Sequence, residues 1–285
     1  MEELDRYIDK VKQLPPAPQV MPQLLLALNS PDLDASRVVK LISVDPALTA
    51  NVLRLVNSAM FAGFEPVTDL NQAVLRLGFG EVFRLVAMSV ASRSLTPPQP
   101  GYGIDRGELW KHSVTCAAAC QIVATETDED VNLAFTAGLL HDIGKIVLSG
   151  ALEHIYARLI EHASENQCAL VESEKQLLGV QHAEVGGRLL SRWNFPPALV
   201  HSVWFHHDPA QADAFKRLAA VVYLGDMVAH FMGHGYGHLA FAIRGRAEAF
   251  AVLGVEPASL PHWMISTFEK LKDVEELVTD KGLFP

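Results

Sequence analysis

Apolar residues recur at helical spacing along nearly the whole of this 285-residue chain. Asp45 followed by Pro46 is a strong helix start, because aspartate caps the first turn and proline suits the first helical position. After this start, Leu48, Val52 and Leu55 lie on one helical face. No hairpin signal and no alternating stretch longer than a few residues accompanies these patterns. The sequence therefore predicts an all-α fold with roughly a dozen helices.

A stretch rich in proline and glycine, residues 96–103, interrupts the helical pattern. We therefore predict an N-terminal helical lobe over residues 1–95, a Pro/Gly-rich connection over residues 96–107, and a multi-helix core with a C-terminal helix over residues 108–285. Within the lobe, a break near Gly78 separates two amphipathic segments. All 12 histidines follow the connection, so imidazole chemistry is expected in the second part.

The composition limits the partners of the chain. Hydrophobic residues make up 49% and charged residues 20%, as in an ordinary globular protein. The net charge of −10 disfavours nucleic-acid polymers, which need a basic surface, but allows a small phosphorylated ligand held by metal ions. The chain starts without a signal-peptide pattern, and its apolar runs are too short for a bilayer, so we expect a cytoplasmic protein without a membrane partner. The 3 cysteines are expected to be reduced and packed as apolar side chains.

A histidine stands directly before an aspartate, His141-Asp142, at the end of an apolar helical run. A metal ion is the usual reason for placing nitrogen and carboxylate oxygen together in such a position. Further candidate ligands each occupy or end a different helical segment, so a helical bundle can bring them to one point. These candidates are His112, His182, His206, His207 and Asp226.

Five imidazoles and two carboxylates without a thiolate suit a divalent transition metal and disfavour a closed structural zinc site. Seven ligands exceed the needs of one small ion, so we predict two ions, about 3.5–4 Å apart, with Asp142 as the bridge. Fe or Mn is preferred, with Zn or Ni as the alternatives. Each histidine taken singly is more often a packed or surface residue, and a centre that has lost its metals stays open as an alternative.

The remaining histidines fit this pattern less well. His234 and His238 lie in a glycine-rich loop and offer a weaker second metal site. No role is predicted for His154, His162, His201, His230 and His262.

The order His, His-Asp, His, His-His, Asp resembles the HD superfamily of metal-dependent phosphohydrolases. Residues 14–18, 44–50, 53–59 and 71–78 resemble the HDOD family, the HD-related output domains of bacterial signalling. The resemblance extends over approximately residues 10–240. It implies an all-α fold with an HD-like core after an N-terminal lobe, and a regulatory module that contacts a signalling protein partner.

This chain is richer in candidate ligands than the HDOD pattern, which usually lacks the complete set. Its ligand positions, with Lys145 in the HDIGK motif, are similar to those of the HD-GYP phosphodiesterases. However, residues 208–211 after His207 read Asp-Pro-Ala-Gln, so the Gly-Tyr-Pro signature of the substrate and partner surface is missing.

We therefore expect a bacterial signal-transduction protein that carries an HD-type dinuclear metal site. The alternative is a metal-dependent phosphohydrolase acting on a nucleotide or a cyclic dinucleotide. In that alternative Asp142 and Lys145 are the catalytic residues, with Lys145 donating to a phosphate oxygen or protonating the leaving group. A solvated lysine at the helix end is the competing interpretation of Lys145.

Overall fold

The structure is a computed structural model that describes residues 2–10, 20–30, 35–57, 66–152, 155–235 and 247–279. Within these ranges the chain forms fifteen α-helices joined by turns, with short 3₁₀ and π segments and no β-strand. The prediction of an all-α fold is confirmed. Residues 14–18 and 58–59 of the family resemblance lie outside the described residues, as do His154 and His238.

The first five helices are separated from the rest by the Pro/Gly-rich stretch. They are α1 (Glu2–Lys10), α2 (Val20–Leu28), α3 (Ala35–Ser43), α4 (Pro46–Val56) and α5 (Leu70–Leu95). Asp45 caps α4 as predicted, because its side chain accepts a hydrogen bond from the Leu48 amide at 3.0 Å. The expected break occurs inside α5 at Gly78, whose φ of 79° is a left-handed value suited to glycine.

Ten further helices make up the second part. They are α6 (Glu108–Glu126), α7 (Val131–Leu140), α8 (Ile143–Ala151), α9 (Ile155–Asn166), α10 (Leu170–Leu178), α11 (His182–Arg192), α12 (Pro197–Trp204), α13 (Lys216–Ala229), α14 (Ala247–Leu253) and α15 (Leu260–Thr279). Helix α6 packs against α7 and α13, and α11 packs against α8 and α12. These two packing groups hold the elements that carry the candidate ligands.

Close helix contacts in this core depend on glycine. A Cβ atom at Gly144 of α8 would lie 1.9 Å from the carbonyl oxygen of His182, which begins α11. A Cβ atom at Gly225 of α13 would lie 2.3 Å from the Cys120 sulfur of α6. Only glycine lets these helix pairs approach so closely, and the approach brings Asp142 next to α11 and Asp226 next to α6.

The connection over residues 96–107 packs on the core. It contains a 3₁₀ turn, Pro100–Tyr102, in which Tyr102 is buried. The Gly101 amide donates to the Ser149 hydroxyl of α8 at 3.0 Å. Helix α1, from the N-terminal part, also packs on the core, where it contacts α8 and α11. The boundary between the lobes stays a prediction.

The stretch Val131–Ala151 is long and apolar enough to cross a membrane by length and composition. It consists of α7 and α8 with the turn at His141 and Asp142 between them, and 78% of its most apolar window is buried inside the fold. Core helices meet the same criteria, so this stretch is weak evidence for a membrane span.

Candidate metal centre

The structure brings all seven predicted ligands to one place in the core. They lie in α6 (His112), in the turn between α7 and α8 (His141 and Asp142), at the start of α11 (His182), in the turn after α12 (His206 and His207) and in α13 (Asp226). All except His207 are buried. Helix α12 ends at Trp204, so the His-His pair follows this helix and does not close it.

A first group of ligand atoms comes from α6, the α7–α8 turn and α13. The Nε2 atoms of His112 and His141 lie 3.2 Å apart. The Asp226 Oδ1 atom lies 3.1 Å from His112 Nε2 and 3.7 Å from His141 Nε2. The three ligand atoms are close enough to share one ion.

A second group comes from α11 and the turn after α12. The Nε2 atoms of His182 and His207 lie 3.0 Å apart, and His206 completes a set whose ligand atoms all lie within 4.8 Å of one another. His206 Nε2 is buried and has no hydrogen-bond partner among the described residues. A buried imidazole nitrogen without a hydrogen-bond partner fits a role as a metal ligand.

Asp142 lies between the two groups and faces both. Its Oδ1 atom lies 3.1 Å from His182 Nε2, in the second group. Its Oδ2 atom lies 3.4 Å from His141 Nε2 and 3.6 Å from His112 Nε2, in the first group. Lys145, on the first turn of α8, places its Nζ atom 2.7 Å from the same Oδ2. The carboxylate therefore has the position that a bridging ligand requires.

Four of the five imidazoles are held by a hydrogen bond on the side away from the centre. Each Nδ1–H donates to a protein oxygen at 2.7–3.1 Å. The acceptors are the Gly138 carbonyl for His141, the Val203 carbonyl for His206, the Glu174 carboxylate for His182 and the His234 carbonyl for His112. Donation from Nδ1 leaves Nε2 as the atom with the lone pair, which fixes the tautomer that binds a metal.

Burial keeps part of the cluster neutral. It lowers the pKa of His112 to about 4, against the opposing effect of Asp226. It lowers the pKa of His206 to about 3, and the neighbouring imidazoles of His141 and His182 add to this effect. A neutral imidazole is the form that binds a cation, so both residues are ready ligands at neutral pH.

Asp142 stays ionised although it is buried. Burial alone would raise its pKa, but the charge of Lys145 and the contact with His141 hold the pKa well below the usual range. The effect is mutual, because burial would lower the pKa of His141 while Asp142 raises it. A divalent cation here would compete with protons for the same atoms.

A sequence model of the HDOD domain matches residues 14–209, well over half of the chain. The chain belongs to the HDOD family. The matched range includes the N-terminal helices from α2 onwards and reaches His206 and His207 of this HDOD protein, whereas Asp226 lies beyond its end.

Two curated relatives of this HDOD chain are much longer than the region that matches it. An uncharacterized protein of Treponema pallidum (strain Nichols) is 29% identical over 227 residues, which cover 79% of this chain and 44% of the relative. A ribonuclease Y of Sulfurovum sp. (strain NBC37-1) is 27% identical over 108 residues, which cover 38% of this chain and 16% of that enzyme. The chain thus spans less than half the length of these relatives.

One solved structure matches this HDOD protein along its length. It is the structure of a candidate phosphohydrolase from Shewanella amazonensis SB2B. The two sequences are 26% identical, the TM-score is 0.70, and the match covers 95% of this chain and 98% of the other.

Three residues near the centre of this HDOD protein were not predicted. Glu174 of α10 is fully buried and accepts from His182, and the Tyr102 hydroxyl donates to Glu174 at 3.0 Å. His230 Nε2 lies 3.3 Å from Asp226 Oδ1. Its spacing of four residues from Asp226 is a helical signal that could have indicated it. Glu174 had no such signal, because its contact with His182 depends on how the chain turns between α10 and α11.

The other histidines have separate contacts. His234 Nδ1 lies 2.6 Å from the Thr115 hydroxyl, and the His234 carbonyl accepts from His112, so the second metal site with His238 stays a prediction. Its predicted partner His238 lies outside the described residues. The histidines without a predicted role contact Ser173 (His162), Phe205 (His201) and Glu126 (His262).

Proposed function

We propose that this HDOD protein is a metal-dependent phosphohydrolase whose centre holds two divalent transition-metal ions, preferably Fe or Mn. The observation that carries the proposal is that anchored Nε2 atoms and two carboxylates all face the same buried space. The ligands would be His112, His141 and Asp226 for the first ion, His182, His206 and His207 for the second, and Asp142 for both.

Two such ions, when bound, polarise a phosphoryl oxygen and lower the pKa of a coordinated water. The residues of the chain would orient the phosphate around them. Lys145 holds a positive charge beside Asp142 Oδ2, where it can donate to a phosphate oxygen or pass a proton to the leaving oxygen. His207 is the most exposed of the seven ligands, so the phosphate would approach from its side.

A small phosphorylated molecule, such as a nucleotide or a cyclic dinucleotide, is the substrate class that suits this chain best. The net charge of −10 disfavours a polyanion spread over the surface, but local metal charge attracts a single phosphate diester. Ribonuclease Y is named for an activity on RNA, and its matched region covers 38% of this chain. Oligoribonucleotides therefore belong in the substrate panel.

The second candidate function is a signalling module in which the ions serve structure. The burial of six of the seven ligands favours it, because deeply buried ions can stabilise a fold without meeting a substrate. Such a module would bind a protein partner and would hold its metals without turnover.

Metal content and turnover together decide between these functions. We expect about two equivalents of metal, measured by plasma mass spectrometry, in protein purified without chelators or a nickel column. We expect hydrolysis of at least one diester from a panel of cyclic dinucleotides, nucleotides and short oligoribonucleotides with added Mn²⁺. His141→Ala should abolish turnover, whereas His262→Ala, a surface imidazole bonded to Glu126, should retain it.

The opposite results are equally informative. Two ions without turnover of any diester would favour the signalling module. Less than one equivalent, unchanged by Asp142→Ala, would remove the basis for both functions.

A further inference from the structure

Glu174 is a buried carboxylate next to the second group of ligands. Its side chain is fully buried. Its Oε2 atom accepts from the His182 amide at 2.7 Å and from His182 Nδ1 at 2.8 Å. Its Oε1 atom lies 2.9 Å from His182 Nδ1 and accepts from the Tyr102 hydroxyl at 3.0 Å. A buried charge of this kind is costly unless such donors surround it, so its position is fixed.

These bonds determine where the His182 ring points. His182 is the first residue of α11, and its amide is one of the helix-end donors that need a partner outside the helix. Glu174 satisfies this amide and the ring Nδ1–H together, which fixes both the backbone and the imidazole. The free Nε2 is thereby aimed at Asp142 Oδ1, 3.1 Å away, and at His207 Nε2, 3.0 Å away.

Tyr102 comes from a different part of the chain, the Pro/Gly-rich connection. Its side chain is buried, and the adjacent Gly101 amide is bonded to Ser149 of α8. The hydroxyl therefore reaches Glu174 from a turn that is itself attached to the helix following Asp142. One hydrogen-bonded chain runs from the connection through Glu174 to His182.

We propose that Glu174 and Tyr102 are positioning residues for the second metal position, with Tyr102 holding Glu174 and Glu174 holding His182. This inference rests on the proposed two-ion centre. A carboxylate that accepts from Nδ1–H makes Nε2 a better donor to a metal, and loss of such a partner typically weakens metal binding about 10–100-fold. Within the described residues, the hydrogen bonds of Glu174 go to His182 and Tyr102, so the effect belongs to the ion that His182 would bind.

The test is a titration of the metal-free full chain with Mn²⁺. Calorimetry measures the two dissociation constants, and electron paramagnetic resonance follows the signal of the coupled Mn pair. Glu174→Gln should raise one constant about 10–100-fold and weaken the signal of the coupled pair, while the other constant stays unchanged. Tyr102→Phe should raise the same constant by a smaller factor.

A matched control is Glu126→Gln, at the far end of α6 from His112. Glu126 also accepts from an imidazole, His262 at 3.0 Å, and from Trp263 at 2.7 Å, but it lies outside the cluster. Both Mn²⁺ constants should be unchanged in this variant.

A double-mutant cycle separates positioning from a purely structural role. In a His182→Ala background, Glu174→Gln should cause no further loss of Mn²⁺ affinity. A persistent loss there, or an equal loss at both ions in the single variant, would overturn the inference. Two unchanged constants in Glu174→Gln would also overturn it and leave the proposed function intact. Less than one ion in the unmodified protein would overturn the proposed function, and this inference with it.

Discussion

Residues of the centre are of two kinds: those that would bind the proposed ions, and those that hold the binding side chains in position. Four imidazoles donate Nδ1–H outward and keep Nε2 for the centre. Asp142 directs Oδ1 toward the second group of ligands and Oδ2 toward the first, and Lys145 donates a hydrogen bond to Oδ2. Lys145 is the residue whose role differs most between the two candidate functions, because only a hydrolase needs its proton or its charge at a phosphate.

Lys145→Met should separate metal binding from turnover. Metal content should remain near two equivalents, since Lys145 is no ligand, while kcat should fall by about 10²–10⁴, the usual contribution of a proton donor. Steady-state kinetics with the best substrate of the panel and metal analysis provide the measurement. Lys175→Met is the control, because Lys175 is an exposed residue that pairs with Glu184. Turnover within about twofold of the unmodified protein would exclude a proton-transfer role for Lys145.

Among the elements, the contact of α8 with α11 matters most for the centre. Asp142 precedes α8 and His182 begins α11, so the distance between the helices sets the distance between these ligands. Gly144 is the residue that allows the contact. Helix α1 is fixed to the same α11 from outside, by Asp5, which pairs with Arg188 and Arg192.

Gly144→Ala should damage both stability and the second ion site. The added Cβ would lie 1.9 Å from the His182 carbonyl oxygen, so the helices must move apart. We expect a loss of about 1–3 kcal/mol or more in urea unfolding, with weaker Mn²⁺ binding. Gly80→Ala is the control, because its nearest neighbour is the flexible end of Arg84 at 3.4 Å. Equal free energies of unfolding and equal Mn²⁺ affinities in the two variants would show that the α8–α11 contact can accommodate the added methyl group.

The attachment of α1 should depend on pH. The hydrogen bond from Arg188 lowers the pKa of Asp5 below its usual value; burial opposes this shift, and the charges of Arg188 and Arg192 add to it. A lowered pKa means that the stabilisation is present above the usual aspartate pKa and is lost as the pH falls through the lowered value.

Hydrogen exchange of α1 amides at pH 7 and near pH 3 tests this dependence. Protection should fall at the lower pH, and Asp5→Asn should give the low protection at both. If the loss of amide protection at low pH persists unchanged in Asp5→Asn, that loss would belong to other titrating groups.

For the whole molecule, the centre joins elements distant in sequence, from α6 to α13. Ions that bind only the folded chain stabilise it by mass action, about 2.7 kcal/mol per site at a concentration 100 times the dissociation constant. The metals should therefore act as a common support for α6, α8, α11, α12 and α13.

Chelation should lower the unfolding temperature of the full chain. With roughly 2–4 °C per kcal/mol for a chain of about this size, two ions should shift the midpoint by roughly 10–20 °C. Differential scanning fluorimetry with a chelator, then with Mn²⁺ restored, measures the shift. Mg²⁺ should restore less, because its preferred ligands are oxygens. An unfolding temperature independent of metal would contradict a centre that supports the fold.

Local sequence was sufficient for the helical class, the Asp45 cap and the break at Gly78. It also named the seven candidate ligands that the fold brings together, whose metal binding stays a prediction. Helical periodicity and capping depend on residues a few positions apart, and ligand chemistry belongs to the side chain itself. Only the tertiary structure decided which oxygen of Asp142 faces which group, and that Glu174 and Tyr102 join the centre. These contacts depend on how close two helices pack and at what angle, as at Gly144, and such long-range packing leaves no periodic signal in the chain.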